Sequence, residues 1–194
     1  MIADDSGPSR SRAFTLIEML TTVAVLVIVL GLMVSLARDV RTRSAERLTK
    51  DLLQRLDTLV AQYKAKNLKG LSEEDRRAYP VVHPLLEGVV DVPGQGPDEV
   101  RLRENALANN RDLVRTLRSQ VDLSNTVFQD LSIANYNEVN VLDAWGSPIV
   151  FMPHQHPKVG MAAGDQSFFF SAGPDRKYLT RQDNLYSYES PGGM

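Results

Sequence analysis

The sequence lacks cysteine, and neither sign of charge dominates it. The absence of cysteine excludes disulfides, thiolate metal sites and cysteine nucleophiles, and it leaves the redox compartment open. Lysine and arginine number 22 against 24 aspartate and glutamate residues, so the formal net charge is −2. This balance gives no sign of electrostatic binding to nucleic acid or to another acidic polymer. With 194 residues the chain has room for one domain of moderate size.

Motifs of enzyme active sites are also missing. The sequence contains no GxSxG nucleophile elbow, no P-loop, no HExxH helix and no paired-carboxylate pattern, so we expect no enzymatic activity. His154 and His156 form an HxH pair flanked by Pro153 and Pro157. Because a zinc site needs three or four protein ligands, we interpret this pair as loop histidines rather than as a metal site.

One long apolar run lies near the N-terminus. The nineteen residues of the range 19–37 carry no charge, and as a helix they span about 28 Å, close to the thickness of a bilayer core. Arg10 and Arg12 precede the run. By the positive-inside rule this short flank stays in the cytoplasm while the bulk of the chain is exported. The sequence therefore predicts a single membrane span with the C-terminus outside.

Glu18 separates the interpretations of this run. A cleaved secretory signal is compatible with the small-x-small triplet at residues 35–37, but the run exceeds the ~7–15 apolar residues typical of such signals. A plain anchor gives no reason for the carboxylate of Glu18, because burying an ionised carboxylate in lipid costs at least ~2–3 kcal/mol. A carboxylate at this place indicates a partner or an interfacial location.

The string RAFTLIEML at residues 12–20 resembles the processing site of type IV prepilins and type II secretion pseudopilins. The resemblance implies that a prepilin peptidase cleaves between Ala13 and Phe14, that Phe14 is N-methylated, and that the span remains attached. It also implies that Glu18, the fifth mature residue, pairs with the amine of a neighbouring subunit during assembly. The family usually has glycine at the position of Ala13, and many members have proline at the position of Ser35.

An amphipathic helix follows the apolar run. Residues 38–67 contain neither glycine nor proline, and apolar side chains recur at steps of three or four. These side chains are Leu48, Leu52, Leu56, Leu59 and Tyr63. The pattern predicts one helix that continues from the span, ends before Gly70 and packs on a C-terminal sheet. We therefore divide the chain into a leader (1–13), a transmembrane helix half (14–37), an amphipathic helix half (38–67) and a globular head (68–194).

The head shows weaker patterns followed by strand signals. Residues 80–97 predict a loop, and residues 98–120 predict two short helices interrupted at Asn109 and Asn110. Residues 140–152 predict a turn and a strand, and residues 167–171 predict a second strand of an antiparallel hairpin. The expected fold is α+β and pilin-like, with a long N-terminal helix packed on a small C-terminal antiparallel sheet.

Two short strings in the last third resemble the major pseudopilin of type II secretion. DAWGSP at residues 143–148 is similar to its Asp-Pro-Trp-Gly-Asn-Pro turn, and FSAGPD at residues 170–175 is similar to its Ser-x-Gly-x-Asp loop. In that family this loop binds calcium, which requires six to eight oxygen ligands. The resemblance implies a calcium site whose oxygen donors in this chain are Ser171, Asp175, Asp183 and Asn184.

An alternative for this loop involves no metal. Arg176, Lys177 and Arg181 lie within it, so its two carboxylates can form ion pairs in a turn rich in Asp, Gly and Pro. The choice between calcium and ion pairing stays open at this point.

Together the resemblances imply a structural subunit and no enzyme. It would reside in the bacterial inner membrane with its C-terminal domain in the periplasm, and would assemble with its own copies and other pseudopilins into a pseudopilus that helps to export folded proteins. A type IV pilin or a minor pseudopilin is the nearest alternative. A membrane-anchored ligand-binding or enzymatic domain is the alternative from another class, and it would require a polar cleft within residues 71–194.

Overall fold

The computed structural model describes residues 15–72, 75–76, 79–92, 94, 96–119, 136 and 139–189. Its elements are helix α1 (Leu16–Asn67), strands β1 (Asp91–Val92) and β2 (Gly96–Pro97), helix α2 (Glu99–Arg118), and strands β3 (Val150–Met152), β4 (Phe168–Ser171) and β5 (Leu185–Tyr186). The last three strands form an antiparallel sheet in the order β3-β4-β5. One long helix, a second helix and a small antiparallel sheet confirm the predicted α+β pilin-like fold.

The chain divides into two compact units, Met1–Arg41 and Thr42–Met194. In the first unit, the described part of α1 exposes every side chain, including the apolar ones between Leu16 and Leu36. By length and composition α1 qualifies as a membrane-crossing helix. The predicted apolar span is therefore helical, and among the described residues of this unit its side chains are exposed. The predicted cleavage-site residues Ala13 and Phe14 lie outside the described residues.

In the second unit, α1 contributes one face to the main hydrophobic core. Its buried side chains are Thr49, Leu52, Leu53, Leu56, Leu59, Val60 and Tyr63. They pack against Phe151 of β3, Phe169 of β4 and Leu113 of α2. This contact confirms the predicted amphipathic helix and its packing on the sheet, except at Leu48, which was predicted in the apolar stripe and is exposed because the buried face begins at Thr49. The helix ends at Asn67, and Gly70 follows with φ 96°, a left-handed conformation that glycine adopts at low cost.

The sheet is covered on both faces, which explains three consecutive phenylalanines in β4. Successive strand residues point to opposite faces, so Phe169 joins the core beneath α1 while Phe168 and Phe170 join a second core. Tyr178 and Tyr186 complete that second core. All three phenylalanines are buried. The predicted hairpin is confirmed, because β3 and β4 pair antiparallel in the register Phe151 to Phe169.

The prediction of two short helices within residues 98–120 is wrong. Residues 99–118 form one helix, α2, and the side chains of Asn109 and Asn110 are buried. The Asn109 amide donates from Nδ2 to the Phe151 carbonyl (3.0 Å) and accepts at Oδ1 from the Phe151 N–H (2.9 Å). Asn110 donates to the carbonyls of Val141 (2.9 Å) and Ile149 (2.6 Å) and accepts from the Val141 N–H (2.8 Å). These bonds satisfy buried backbone groups, each worth about 1 kcal/mol, and outweigh the lower helix propensity of asparagine.

The segment predicted as a loop, residues 80–97, also differs in part from expectation. At its end, β1 and β2 pair antiparallel, with Asp91 opposite Pro97. Glycine at positions 94 and 96 has positive φ values of 78° and 85°, which allow the chain to reverse within a few residues. The sequence showed the turn residues but not the strands, because two-residue strands carry no periodic pattern.

Candidate functional site

Glu18, the predicted assembly residue, caps the start of its own helix. Oε2 of Glu18 accepts hydrogen bonds from the N–H of Thr15 (2.9 Å) and from the hydroxyl of Thr15 (2.9 Å). The N–H of Glu18 in turn donates to Oγ1 of Thr15 (3.3 Å). This reciprocal arrangement is a capping box, in which two side chains satisfy backbone donors that the first helical turn leaves unpaired. The pattern T-x-x-E at residues 15–18 is the sequence signal for it, and sequence reasoning missed it.

The capping box leaves half of the Glu18 carboxylate available. Within the described residues Glu18 makes hydrogen bonds through Oε2, and none involves Oε1. A carboxylate carries about four lone-pair sites and can accept several donors at once. The geometry therefore allows Glu18 to cap α1 and to meet a cationic group with its second oxygen at the same time.

A buried carboxylate, Asp143, joins the two motifs of the last third of the chain. Oδ1 of Asp143 accepts from the N–H groups of Trp145 (2.9 Å) and Ser147 (2.8 Å), which closes the turn at residues 143–148. Oδ2 accepts from the hydroxyl of Ser171 (2.6 Å), and the Ser171 oxygen accepts from the N–H of Gly173 (3.0 Å). The two resembling strings are thus held together by a hydrogen bond between their first polar side chains.

The same turn is attached to α1. The Ala144 N–H donates to Oγ1 of Thr49 (3.2 Å), a threonine that is fully buried among the leucines of the helix face. Trp145 packs, partly buried, against the same core. Trp145 therefore anchors this turn to the core by packing.

The four predicted calcium donors occupy different environments. Ser171 is buried, and its hydroxyl is committed to Asp143. Asp175 is partly exposed and accepts at Oδ1 from the N–H of Lys177 (2.8 Å), whereas Asp183 is exposed. Asn184 is buried, and its Nδ2 donates to the Tyr178 carbonyl (3.0 Å). The structure therefore places Ser171 in the Asp143 network, while the calcium site itself stays a prediction.

One observation in the loop favours a cation. Oδ1 of Asn184 is buried and has no hydrogen-bond partner among the described residues. A buried oxygen without a donor costs about 1–3 kcal/mol, and an amide oxygen is a ligand that calcium accepts. Within the described residues, no group of three or more histidine, aspartate or glutamate side chains is placed to hold a metal.

Gly173 brings the two ends of this loop into contact. Its φ is 67°, and a Cβ atom at this position would lie 2.0 Å from the carbonyl oxygen of Asp183. No side chain fits there without moving backbone. The glycine of the resembling loop is therefore required by a close approach between residues 173 and 183, whether or not the loop holds a metal.

The HxH pair makes local contacts. Nδ1 of His154 lies 3.4 Å from Oδ2 of Asp165, and both side chains are well exposed. Nδ1 of His156 accepts from the N–H of Lys158 (3.2 Å), two residues further along. The two rings thus contact different partners, Asp165 and the backbone of Lys158, in the segment between β3 and β4.

Burial raises the pKa of the Asp143 carboxyl, although hydrogen bonds from Ser171, Ser147 and Trp145 and the positive charge of Arg176 oppose the shift. A raised pKa means that the folded protein holds this proton more tightly than the unfolded chain does. The stability that Asp143 contributes is therefore full below the ordinary aspartate range and declines as pH rises through the raised pKa.

We expect the free energy of unfolding of the Asp143→Asn variant to increase, relative to that of the unchanged protein, as pH rises from about 4 to about 7. Asparagine keeps an acceptor for the two turn amides and does not ionise. The measurement is urea unfolding of the full chain in neutral detergent, followed by Trp145 fluorescence at several pH values. Asp51→Asn, at an exposed position of α1, is the matched control and should run parallel to the unchanged protein. Parallel curves for Asp143→Asn as well would contradict the expectation.

Comparison with known proteins bears on the N-terminal residues. No curated protein and no solved structure matches the chain. A family model described as the prokaryotic N-terminal methylation motif matches residues 8–34, a range that contains Ala13, Phe14 and Glu18. In general this motif goes with processing by a prepilin peptidase and with filament assembly, and together with the apolar helix it fits a membrane-anchored protein. The chain carries the N-terminal signature of type IV pilin-like and pseudopilin proteins.

Proposed function

We propose that this chain is a structural, non-enzymatic subunit of a type II secretion pseudopilus. It would sit in the bacterial inner membrane with its C-terminal domain in the periplasm, and would assemble with its own copies and with other pseudopilins. The observation that carries the proposal is the methylation motif at residues 8–34, which includes the start of an exposed apolar helix with Glu18 in its first turn. The motifs at residues 143–148 and 170–175 favour a major pseudopilin over the alternatives, a type IV pilin or a minor pseudopilin.

The proposed mechanism of assembly is the pairing of charges in a low-dielectric environment. Cleavage before Phe14 creates a cationic amine, and a neighbour's Glu18 carboxylate can neutralise it. An unpaired charge at membrane depth costs several kcal/mol, so a subunit added in the correct register is favoured over one out of register. The capping box supports this role, because it fixes the position of the carboxylate through Oε2.

Processing provides the first test of the proposal. We expect the mature protein, isolated from its native membrane, to begin at N-methylated Phe14, and intact mass spectrometry measures this directly. The same protein from cells without prepilin peptidase is the control and should keep residues 1–13. A mature chain that begins at Arg38 would indicate signal-peptidase cleavage, and one that begins at Met1 would indicate a simple anchor. Either result would refute the proposal.

Glu18→Gln separates the charge of this residue from its capping role. Glutamine can still accept from Thr15, so membrane insertion and processing should persist, while assembly should fall on the order of tenfold or more because the neighbour's amine loses its counter-charge. The measurement is the fraction of protein that sediments as filaments. Thr15→Val removes the hydroxyl of the cap and keeps the charge. An equal loss in Thr15→Val would mean that Glu18 acts through the cap, contrary to the pairing mechanism.

Calcium is a separate proposal for the loop of residues 171–184. The unpaired Oδ1 of Asn184 supports it, and Asp175 and Asp183 are carboxylates of the same loop. Bound calcium would supply a positive charge that offsets the repulsion between these two carboxylates. The hydroxyl of Ser171 does not support the proposal, because it is engaged with Asp143.

Chelation tests the calcium proposal. At a calcium concentration a hundredfold above Kd the folded state gains about 2.7 kcal/mol, so EDTA should lower the melting temperature of the full chain in detergent by about 5–10 °C. Asp183→Asn should abolish this response, and Asp51→Asn should leave it intact. A melting temperature that ignores EDTA and calcium but shifts with salt would instead indicate ion pairs with Arg176, Lys177 and Arg181.

A further inference from the structure

Three cationic side chains line one surface groove of the second unit, which has a volume of about 500 Å³. Lys158 comes from the turn between β3 and β4, and Lys177 and Arg181 come from the loop after β4. Two carboxylates, Asp91 and Glu99, lie in the same lining. The groove therefore has an excess of one positive charge, although the chain as a whole has a formal net charge of −2.

The two carboxylates of the groove do not neutralise its three cationic side chains to the same extent. Nζ of Lys158 lies 3.4 Å from Oδ2 of Asp91, and both side chains are well exposed, so water and salt screen this pair strongly. Burial raises the pKa of Glu99, the charge of Lys177 opposes this shift, and the nearby negative charges of Asp175 and Asp98 add to it. Among the described residues, no carboxylate comes within ion-pair distance of Lys177 or Arg181.

The guanidinium of Arg181 meets neutral groups of the protein. Its Nη1 donates to the carbonyl of Pro157 (3.4 Å), and the side chain also interacts with the Tyr186 hydroxyl. The planar fork of an arginine matches the two oxygens of a carboxylate. Pro97 and Leu179 add apolar walls to the groove, and such walls suit the methylene groups of glutamate side chains.

We propose that this groove binds an acidic segment of a partner protein, whose carboxylates meet Lys177 and Arg181. The inference concerns a site outside the membrane span and does not depend on the pseudopilus proposal. Inorganic phosphate presents similar oxygens, but it offers no methylene groups for the apolar walls. The groove thus differs in ligand class from the calcium proposal, which concerns Asn184.

The test uses fluorescein-labelled hexaglutamate and the full chain in neutral detergent, with fluorescence anisotropy as the readout. We expect saturable binding that weakens with salt, and a loss of affinity of at least about tenfold in the double variant Lys177→Gln, Arg181→Gln. The double variant Arg111→Gln, Arg115→Gln removes the same charge from exposed positions of α2 outside the groove and should bind as the unchanged protein does. Unchanged Trp145 fluorescence verifies that each variant is folded.

Three results would overturn the inference. The first is absence of hexaglutamate binding to the unchanged protein, and the second is an equal loss of affinity in the α2 control variant, which would mean unspecific attraction. The third is inorganic phosphate that competes as tightly as hexaglutamate, which would assign the groove to a small oxyanion. The N-terminus measured by mass spectrometry is independent of all three, so failure of this inference is distinguishable from failure of the proposed function.

Discussion

A sheet of three strands with three, four and two residues is too small to be stable alone, and the second unit is organised around covering it. One face lies against the leucine-rich face of α1. The other face lies against an aromatic cluster, in which Phe170 stacks on Tyr186 with ring centroids 6.0 Å apart. At the outer edge of β3, the amides of Asn109 and Asn110 take the hydrogen bonds that another strand would make. The two face covers keep the apolar side chains of the sheet away from water, and the asparagine amides give backbone groups at its edge their partners.

This constraint explains why the two motifs of the last third are tied to the helix. Asp143 and Ser171 are 28 residues apart in sequence, and their 2.6 Å hydrogen bond joins the turn before β3 to the end of β4. Ala144 then bonds to Thr49 of α1. The buried carboxylate thus links the turn to the sheet, the neighbouring backbone links the turn to the helix, and burial raises the pKa of Asp143 because the site is largely closed to water. The motif residues are accounted for as structure before any ligand is considered.

The parts of the fold that were predictable from sequence are those with a periodic signal. The leucines from Leu52 to Leu59 and the strand residues near Phe169 set the helix face and the hairpin, and both are confirmed. The single helix through Asn109 and Asn110 was not predictable, because their local propensity disfavours helix whereas their side chains hydrogen-bond to residues 26 to 42 positions away. Strand β5 has two residues and therefore no detectable period.

In the candidate sites, too, features formed by contiguous residues were predictable and features formed by distant residues were not. The cleavage-site string was recognisable because its residues are contiguous, and the family match at residues 8–34 supports it. The hydrogen bond from Ser171 to Asp143 was not predictable, because the two residues are distant in sequence. The net charge of the chain likewise did not predict the cationic groove around Arg181, because net charge sums over all surfaces and does not show which charged side chains the fold brings together. The sequence therefore identifies motifs of contiguous residues well. It identifies contacts between distant residues only where a periodic pattern marks the elements that carry them.

The capping box changes the energetic account of the proposed assembly. A carboxylate at the start of a helix is stabilised by the unpaired N–H groups and by the helix dipole, and Glu18 already receives two hydrogen bonds from Thr15. In the free subunit the charge of Glu18 therefore costs less free energy than the charge of a carboxylate without hydrogen bonds in lipid would. The amine that cleavage would create at Phe14 is itself a donor, and the free backbone groups at a helix start are donors too, so a helix start offers such an amine no acceptor of its own. In the proposed filament the stronger demand for a partner therefore comes from the amine, and a capped Glu18 is an acceptor held ready for it.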